Sequence, residues 1–113
     1  MMKIINCTPH PIVINCNEET TTFEPSGIIP RVQTDHKEAS NIGEFNCVVP
    51  VRGAVEGLPE PQKETFYIVA GMVFDATDRE DVIAPDTGPT AIRNEKGHIK
   101  AVTRFLRKTI KAS

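Results

Sequence analysis

The apolar residues of this chain are almost all branched at Cβ. The sequence contains 12 Ile and 10 Val but only 2 Leu. A branched Cβ fits the pleated surface of a sheet and crowds the preceding turn of a helix. The 16 Gly and Pro residues fall between the apolar runs, where turns are expected. The chain is therefore predicted to be rich in β-strands and poor in long helices.

The length of the chain, 113 residues, suits one hydrophobic core and is short for two. We expect a single β-rich domain over residues 1–106 and a basic C-terminal tail over residues 107–113. From residue 98 to the end there is no acidic residue, and the only aromatic side chain there, Phe105, offers little for nucleobases to stack on. We therefore expect a solvated tail rather than a nucleic-acid interface. The basic residues of this segment are Lys100, Arg104, Arg107, Lys108 and Lys111.

Short apolar stretches separated by turn residues predict the order of the elements in the first half of the chain. A turn is expected at residues 17–19. Residues 34–45 are polar and show no periodicity, so they are expected to form an exposed loop. Extended segments are expected over residues 3–7, 11–16, 20–23, 28–32 and 46–55.

The second half of the chain contains the most apolar segment, residues 66–74. It is predicted to form a central strand over residues 66–69 and then a short helix. Residues 94–97 are expected to be a hairpin turn, followed by a strand over residues 98–105. The predicted fold class is thus α+β and β-rich. It comprises a small mixed or antiparallel sheet, one short helix after the central strand, and a C-terminal hairpin.

Charge and composition exclude several classes of protein. A net charge of −2 gives no overall attraction to nucleic acid or to an anionic membrane. No apolar run approaches the ~20 residues that span a bilayer, and no signal-peptide pattern is present, so we expect a cytoplasmic protein without a membrane segment. Three cysteines without C-x-x-C spacing predict reduced thiols rather than a disulfide framework or a zinc site.

The triplet Asp86-Thr87-Gly88 is the one that aspartic proteases use. Those enzymes place alternating apolar residues before the triplet and much of a subunit after it. Here Pro85 precedes it and only 25 residues follow. We therefore interpret the triplet as a turn in which the Asp86 carboxylate caps nearby backbone amides.

The three histidines, His10, His36 and His98, have no spacing typical of a metal site, so neither a metal nor another cofactor is predicted. His10 lies between two prolines that would hold it rigidly at a break between strands. Its imidazole could donate to a ligand or act as a general base, and a purely structural role at the kink is equally open.

Several residues near predicted turns suit the binding of an anion. An arginine can clamp a phosphate or carboxylate with two parallel hydrogen bonds, and hydroxyls and exposed amides can complete such a site. Rigid, proline-rich turns would make a pre-formed pocket inexpensive in conformational entropy. The predicted ligand-binding residues are Thr8, His10, Ser26, Arg31, Thr87 and Arg93.

Two motifs carry a resemblance to a known family. Near its start the chain contains Asn6-Cys7-Thr8-Pro9-His10, and closer to its end it has the hairpin sequence Glu95-Lys96-Gly97-His98-Ile99. Through these motifs it resembles a family of short uncharacterised proteins of bacteria and their phages, and the resemblance covers most of the chain apart from the basic extension after Phe105. The resemblance implies a phage or prophage setting, and it brings no assigned activity and no functional residue.

Two functions from different classes follow as expectations. The first is a non-enzymatic phage or prophage accessory protein that binds a small anionic or nucleotide-like ligand, or a host protein. The alternative is a small hydrolase or transferase in which His10 is the base and Asp86 or Asp81 orients it. Self-association is left open.

Overall fold

The computed structural model describes residues 2–109, which are dominated by strands and contain a single short helix. This confirms the predicted β-rich α+β class. The elements in chain order are β1 (Lys3–Asn6), β2 (Ile12–Cys16), β3 (Glu19–Phe23), β4 (Arg31–Ile42), β5 (Phe45–Glu56), β6 (Thr65–Ile68), α1 (Gly71–Ala76), β7 (Val82–Pro85), β8 (Ile92–Arg93), β9 (Ile99–Ala101) and β10 (Phe105–Leu106).

A mixed four-stranded sheet forms the centre of the molecule, in the order β1-β6-β7-β10. Strands β1, β6 and β7 are parallel to one another, and β10 is antiparallel to β7. The central strand β6 lies where the most apolar segment predicts it, and Tyr67 and Ile68 are fully buried. Burial of both follows from their place on an internal strand, whose two faces are both covered.

The short helix α1 connects β6 to the parallel strand β7, as the sequence predicts. It runs from Gly71 to Ala76, and the residues on either side of it, Ala70 and Thr77, have extended backbone. Val73 is its buried residue, whereas Met72 is exposed. Within one and a half turns only one narrow stripe can face the sheet, so packing rather than helix propensity holds this helix in place.

The hydrophobic core lies between the sheet, the helix and the base of β4 and β5. Partly buried side chains from β4, β5 and the following turn pack against it, among them Val32, Val55 and Leu58. Full burial of an aliphatic side chain contributes about 1.5–3 kcal/mol, and partial burial contributes less. The buried cluster consists of Cys7, Tyr67, Val69, Val73 and Val82.

The three cysteines are free in the structure. Cys7 is buried in the core, Cys16 is exposed and Cys47 is half-buried. Burial raises the pKa of the Cys7 thiol, while a hydrogen bond with Ser26 acts in the opposite direction.

The turn predicted at residues 17–19 joins β2 to β3 and is confirmed. Its two central residues, Asn17 and Glu18, both have positive φ, at 51° and 66°. Two consecutive residues with positive φ match the right-handed twist of the flanking strands, which is why such turns connect two-residue hairpins.

The prediction of an exposed loop over residues 34–45 was wrong. This segment forms most of β4, its turn and the first residue of β5, and β4 pairs with β5 in a separate two-stranded sheet, here called the arm. The alternation of polar and apolar residues is absent because most of the arm is exposed on both faces. The loop between β4 and β5 has two residues, and the first of them, Gly43, has a φ of 60°, a conformation that favours glycine.

The predicted strand over residues 98–105 was also too long. The turn at residues 94–97 and the β8–β9 hairpin are confirmed, but β9 ends at Ala101. Phe105 belongs to β10, which pairs with β7 in the central sheet. The local sequence cannot show that the chain passes from the hairpin to the central sheet, because the two parts of the predicted strand are equally β-prone.

The first residues of the predicted tail contact the domain. The Arg107 guanidinium lies 5.2 Å from the centre of the Phe66 ring, and the Lys108 ammonium lies 4.1 Å from that of Phe74. Residues 110–113 of the predicted tail lie outside the described residues.

The side chain of Asn6 joins the central sheet to the β2–β3 hairpin. Asn6 is buried, and its Nδ2 donates to the carbonyl oxygens of His10 and Phe23, each at 2.8 Å. Its Oδ1 accepts from the backbone N–H of Thr8 at 2.9 Å and lies 2.7 Å from the Thr8 hydroxyl. Both amide hydrogens of the carboxamide are therefore used, and its oxygen accepts from the Thr8 amide.

We predict that Asn6→Asp lowers the free energy of unfolding by about 3 kcal/mol, since a carboxylate removes the amide donors to the carbonyl oxygens of His10 and Phe23 and places a buried charge beside them. Urea unfolding followed by circular dichroism measures the change. Gln62→Glu, the same chemical change at an exposed position, is the control and should alter stability little. An unchanged midpoint for Asn6→Asp would show that these donors are dispensable.

Candidate functional site

Three of the six predicted ligand-binding residues lie around Asn6. The Thr8 hydroxyl is 2.9 Å from the His10 carbonyl oxygen as well as close to Asn6. The Ser26 hydroxyl and amide both donate to the backbone oxygen of Asn6, at 2.7 and 2.9 Å. His10 takes part through its carbonyl, and the residue itself is exposed. Thr8 and Ser26 thus use their polar groups to hold the fold.

Arg31 lies at a different place, as the first residue of β4, paired with Glu56. It is exposed at the base of the arm. No hydrogen bond or ion pair among residues 2–109 connects it to another of the six predicted residues.

Thr87 and Arg93 are brought together by the β8–β9 hairpin. The Arg93 guanidinium donates to the carbonyl oxygen of Thr87 at 3.1 Å and to that of Gly97 at 2.8 Å. The turn itself is held by Asn94, whose Oδ1 accepts from the amides of Lys96 and His98. Side chain to backbone bonds of this kind fix a turn without a packed core.

A basic groove runs along this hairpin, with a volume of about 620 Å³. Its lining contains the side chains of three residues that are cationic at neutral pH, one histidine and one acid. Lys96 and Lys100 are exposed, and within the described part of the chain neither pairs with a carboxylate. The lining residues are Ile92, Arg93, Asn94, Glu95, Lys96, His98 and Lys100.

An apolar cleft of about 190 Å³ adjoins the basic groove, and Lys100 lines both. The cleft lies between the start of β2, the end of β7 and strand β9. A parallel bridge between Ile14 and Val102, with backbone bonds on both sides of it, fixes the separation of its walls. Its lining residues are Pro11, Ile12, Val13, Pro85, Thr87, Ile99, Lys100, Ala101 and Val102.

Asp86 immediately precedes Thr87 and is buried. Its carboxylate accepts from Arg104 Nε at 2.5 Å and from the amide of Gly88 at 3.0 Å. Those two bonds, the Arg104 bond foremost, lower the pKa of Asp86. The predicted turn in which Asp86 caps a backbone amide is therefore present. The recorded bonds of this carboxylate are with Arg104 and Gly88, and none is with His10.

The other acid considered beside His10, Asp81, forms an ion pair with Arg79. Arg79 Nε and Nη2 bind the two carboxylate oxygens of Asp81 at 3.0 and 2.6 Å. Arg79 also lies over the ring of Tyr67, 5.8 Å from its centre. Asp81 thus orients an arginine at the end of the core.

The residues that sequence reasoning missed are Lys96, His98 and Lys100. The sequence signal for these residues is the absence of acidic residues after residue 97, which the sequence analysis assigns to a solvated tail instead of a site. A second signal is the alternation of polar and apolar residues after the predicted turn, where His98 and Lys100 lie on either side of Ile99. Among residues 2–109 there is no group of three or more His, Cys, Asp or Glu side chains that could hold a metal ion.

The chain matches no protein-family model, no curated protein and no solved structure. The single helix within residues 2–109, α1, lacks the length and apolar character needed to cross a membrane.

We predict that Asp86 makes the stability of the protein depend on pH in the acid range. Its pKa is lower in the folded chain than in the unfolded one, so the carboxylate stabilises the fold above about pH 4, and this contribution is lost as the pH falls through the folded pKa. The measurement is the urea concentration at the midpoint of unfolding, taken between about pH 3 and about pH 7. As the pH falls, this midpoint should decrease less steeply in the Asp86→Asn variant than in the wild type. Asp75→Asn, at an exposed position, is the control and should keep the wild-type slope.

Proposed function

We propose that this protein binds a small anionic, nucleotide-like ligand at the β8–β9 hairpin, as a non-enzymatic accessory protein. The observation that carries the proposal is the basic groove, where Arg93, Lys96 and Lys100 outnumber the single acid, Glu95. The chain as a whole carries a net charge of −2, so this concentration of positive charge is local. Local cationic clusters attract anions and raise their concentration at the surface.

The apolar cleft supports the choice of a nucleotide-like ligand over a simple anion. A nucleotide combines a flat, largely apolar base with a charged phosphate group. The cleft offers the rings of Pro11 and Pro85 and the branched side chains of Ile12 and Ile99 beside the basic groove. Lys100 lines both spaces and would lie near the junction of base and phosphate. The groove volume falls within the range of about 300–1,000 Å³ found for ligand sites.

The biological setting is part of the same proposal. The resemblance to short phage and bacterial proteins suggests a phage or prophage accessory role, in which capture of a nucleotide-like molecule would be the molecular activity. Binding is favoured over catalysis because the acids considered as partners of His10 are each bound to an arginine, Asp86 to Arg104 and Asp81 to Arg79.

Calorimetric titration with ATP, adenosine and inorganic tripolyphosphate tests the proposal. ATP can use both spaces, whereas adenosine can use only the cleft and tripolyphosphate only the groove. We expect ATP to bind more tightly than either fragment. No heat from any of the three compounds at millimolar concentration would refute the proposal.

Substitution of Lys100 locates the binding. We predict that Lys100→Glu weakens ATP binding about tenfold or more, because a charge-assisted hydrogen bond is replaced by repulsion. Lys63→Glu makes the same charge change at an exposed position outside both spaces, and should bind ATP as the wild type does. Equal weakening in both variants would indicate general electrostatic attraction instead of a site. Arg93→Ala is a poorer test, since Arg93 also holds the turn through Thr87 and Gly97.

A further inference from the structure

The arm is the most exposed part of the molecule. Strands β4 and β5 have 12 residues each, so they extend for about 40 Å, and the longest dimension of the described chain is 54 Å. The arm packs on the core at its base, through Val32 and Val55. An isolated two-stranded sheet is marginally stable in water, and three or more strands are needed for independent stability. The outer arm therefore lacks the neighbouring strand that would stabilise it.

The exposed apolar side chains are concentrated on the arm. At its tip, Ile42 is 72% exposed and Phe45 is 67% exposed. Val48, Val49 and Val51 are exposed along β5. A run of exposed apolar side chains beside open strand edges is typical of a surface that binds another protein chain.

The two edges of the arm differ in their capacity to pair. On β5, Pro50 lies opposite His36 and has no N–H to donate. This position of the ladder is therefore of the non-hydrogen-bonded kind, in which the N–H and C=O of His36 point away from β5. Strand β4 contains no proline, and between the irregularities that follow Val32 and Ala39 its pairing with β5 is regular from Thr34 to Ala39, so this stretch of its outer edge keeps its backbone donors and acceptors. The open edge is that of β4.

The charges on β4 are complementary to themselves. Asp35 is paired with Val51 and Lys37 with Val49, which places both charges on the same face of the arm, on either side of His36. Antiparallel pairing with a second β4 about a twofold axis at His36 puts Asp35 opposite Lys37 of the second copy, and Lys37 opposite its Asp35. Opposite charges at such positions stabilise a sheet, and like charges destabilise it.

Neighbouring registers lack this match. Two β4 strands can pair only where the peptide groups that point away from β5 in one copy face the same kind of groups in the other copy. The alternative registers that satisfy this condition have the twofold axis at a neighbouring residue. A twofold axis at Lys37 would place two lysines opposite each other, and one at Asp35 would place two aspartates opposite each other. The axis at His36 gives two favourable charge pairs instead.

We infer that this protein forms a symmetric dimer through its arms, in which the β4 strands of two copies pair antiparallel about His36. The result is a four-stranded sheet in the order β5-β4-β4-β5, with the β5 edges, each carrying Pro50, on the outside. The same register carries the tip of each arm, with Ile42 and Phe45, towards the base of the other arm. Ile29 is exposed there, at 39%.

A charge-reversal series tests the dimer by sedimentation velocity. The wild type should sediment as a dimer, with twice the chain mass of 12.5 kDa. Lys37→Asp and Asp35→Lys each place like charges opposite one another, and each should weaken the dimer about tenfold or more. The double variant Asp35→Lys with Lys37→Asp restores opposite charges and should recover dimerisation. Recovery in the double variant also shows that the arm still folds when both positions are changed.

Lys63→Asp is the matched control, because it makes the same charge change at an exposed position away from the arm and should leave the dimer intact. A wild type that stays monomeric at about 100 µM, well above the dissociation constants of stable dimers, would overturn the inference. So would a dimer that both single reversals leave unchanged, since its interface would then lie elsewhere, or a double variant that stays monomeric.

Discussion

The buried carboxamide of Asn6 is the interaction on which the arrangement of this small protein depends. It lies at the end of β1, where the chain leaves the central sheet, and it binds the turn after β1 through Thr8 and His10 and the end of β3 through Phe23. The backbone oxygen of Asn6 then holds Ser26. A domain of this size has few buried apolar side chains, so a fully satisfied polar network has a large share in fixing one arrangement.

The network also explains why the functional candidates lie at the periphery. The hydroxyls of Thr8 and Ser26 are committed to Asn6, and Asp86 holds Arg104 and the Gly88 amide. These contacts hold the turns in place, while the projecting β8–β9 hairpin leaves the side chains of Lys96 and Lys100 exposed and the arm leaves those of Ile42 and Phe45 exposed. The β8–β9 hairpin presents positive charge beside an apolar cleft, and the arm presents an open strand edge. Segments that project from a rigid scaffold are where binding residues are commonly found in proteins.

The sequence predicted the central elements well because their signals are local. The apolar run at residues 66–69, the turn at Asn17 and the hairpin turn at residues 94–97 lie where they were expected. The arm was missed because secondary-structure periodicity reports burial, and a strand exposed on both faces leaves no such pattern. Of the six predicted site residues, only Thr87 and Arg93 line the proposed ligand site, because residue type alone does not show which hydroxyls are used by the backbone.

By itself, the sequence determined the β-rich class, the single helix after the central strand and the places where the chain turns. These properties follow from branched side chains, apolar runs and turn-forming residues, whose effects act over a few positions. Only the tertiary structure decided which strands pair and which polar groups meet. Strand β1 pairs with β6, which lies about sixty residues further along the chain. The Asn6 side chain donates to the Phe23 carbonyl oxygen, and Lys100 and Pro11 line the same cleft. Such contacts depend on how the whole chain buries its apolar surface while satisfying its backbone, and no short segment contains that information.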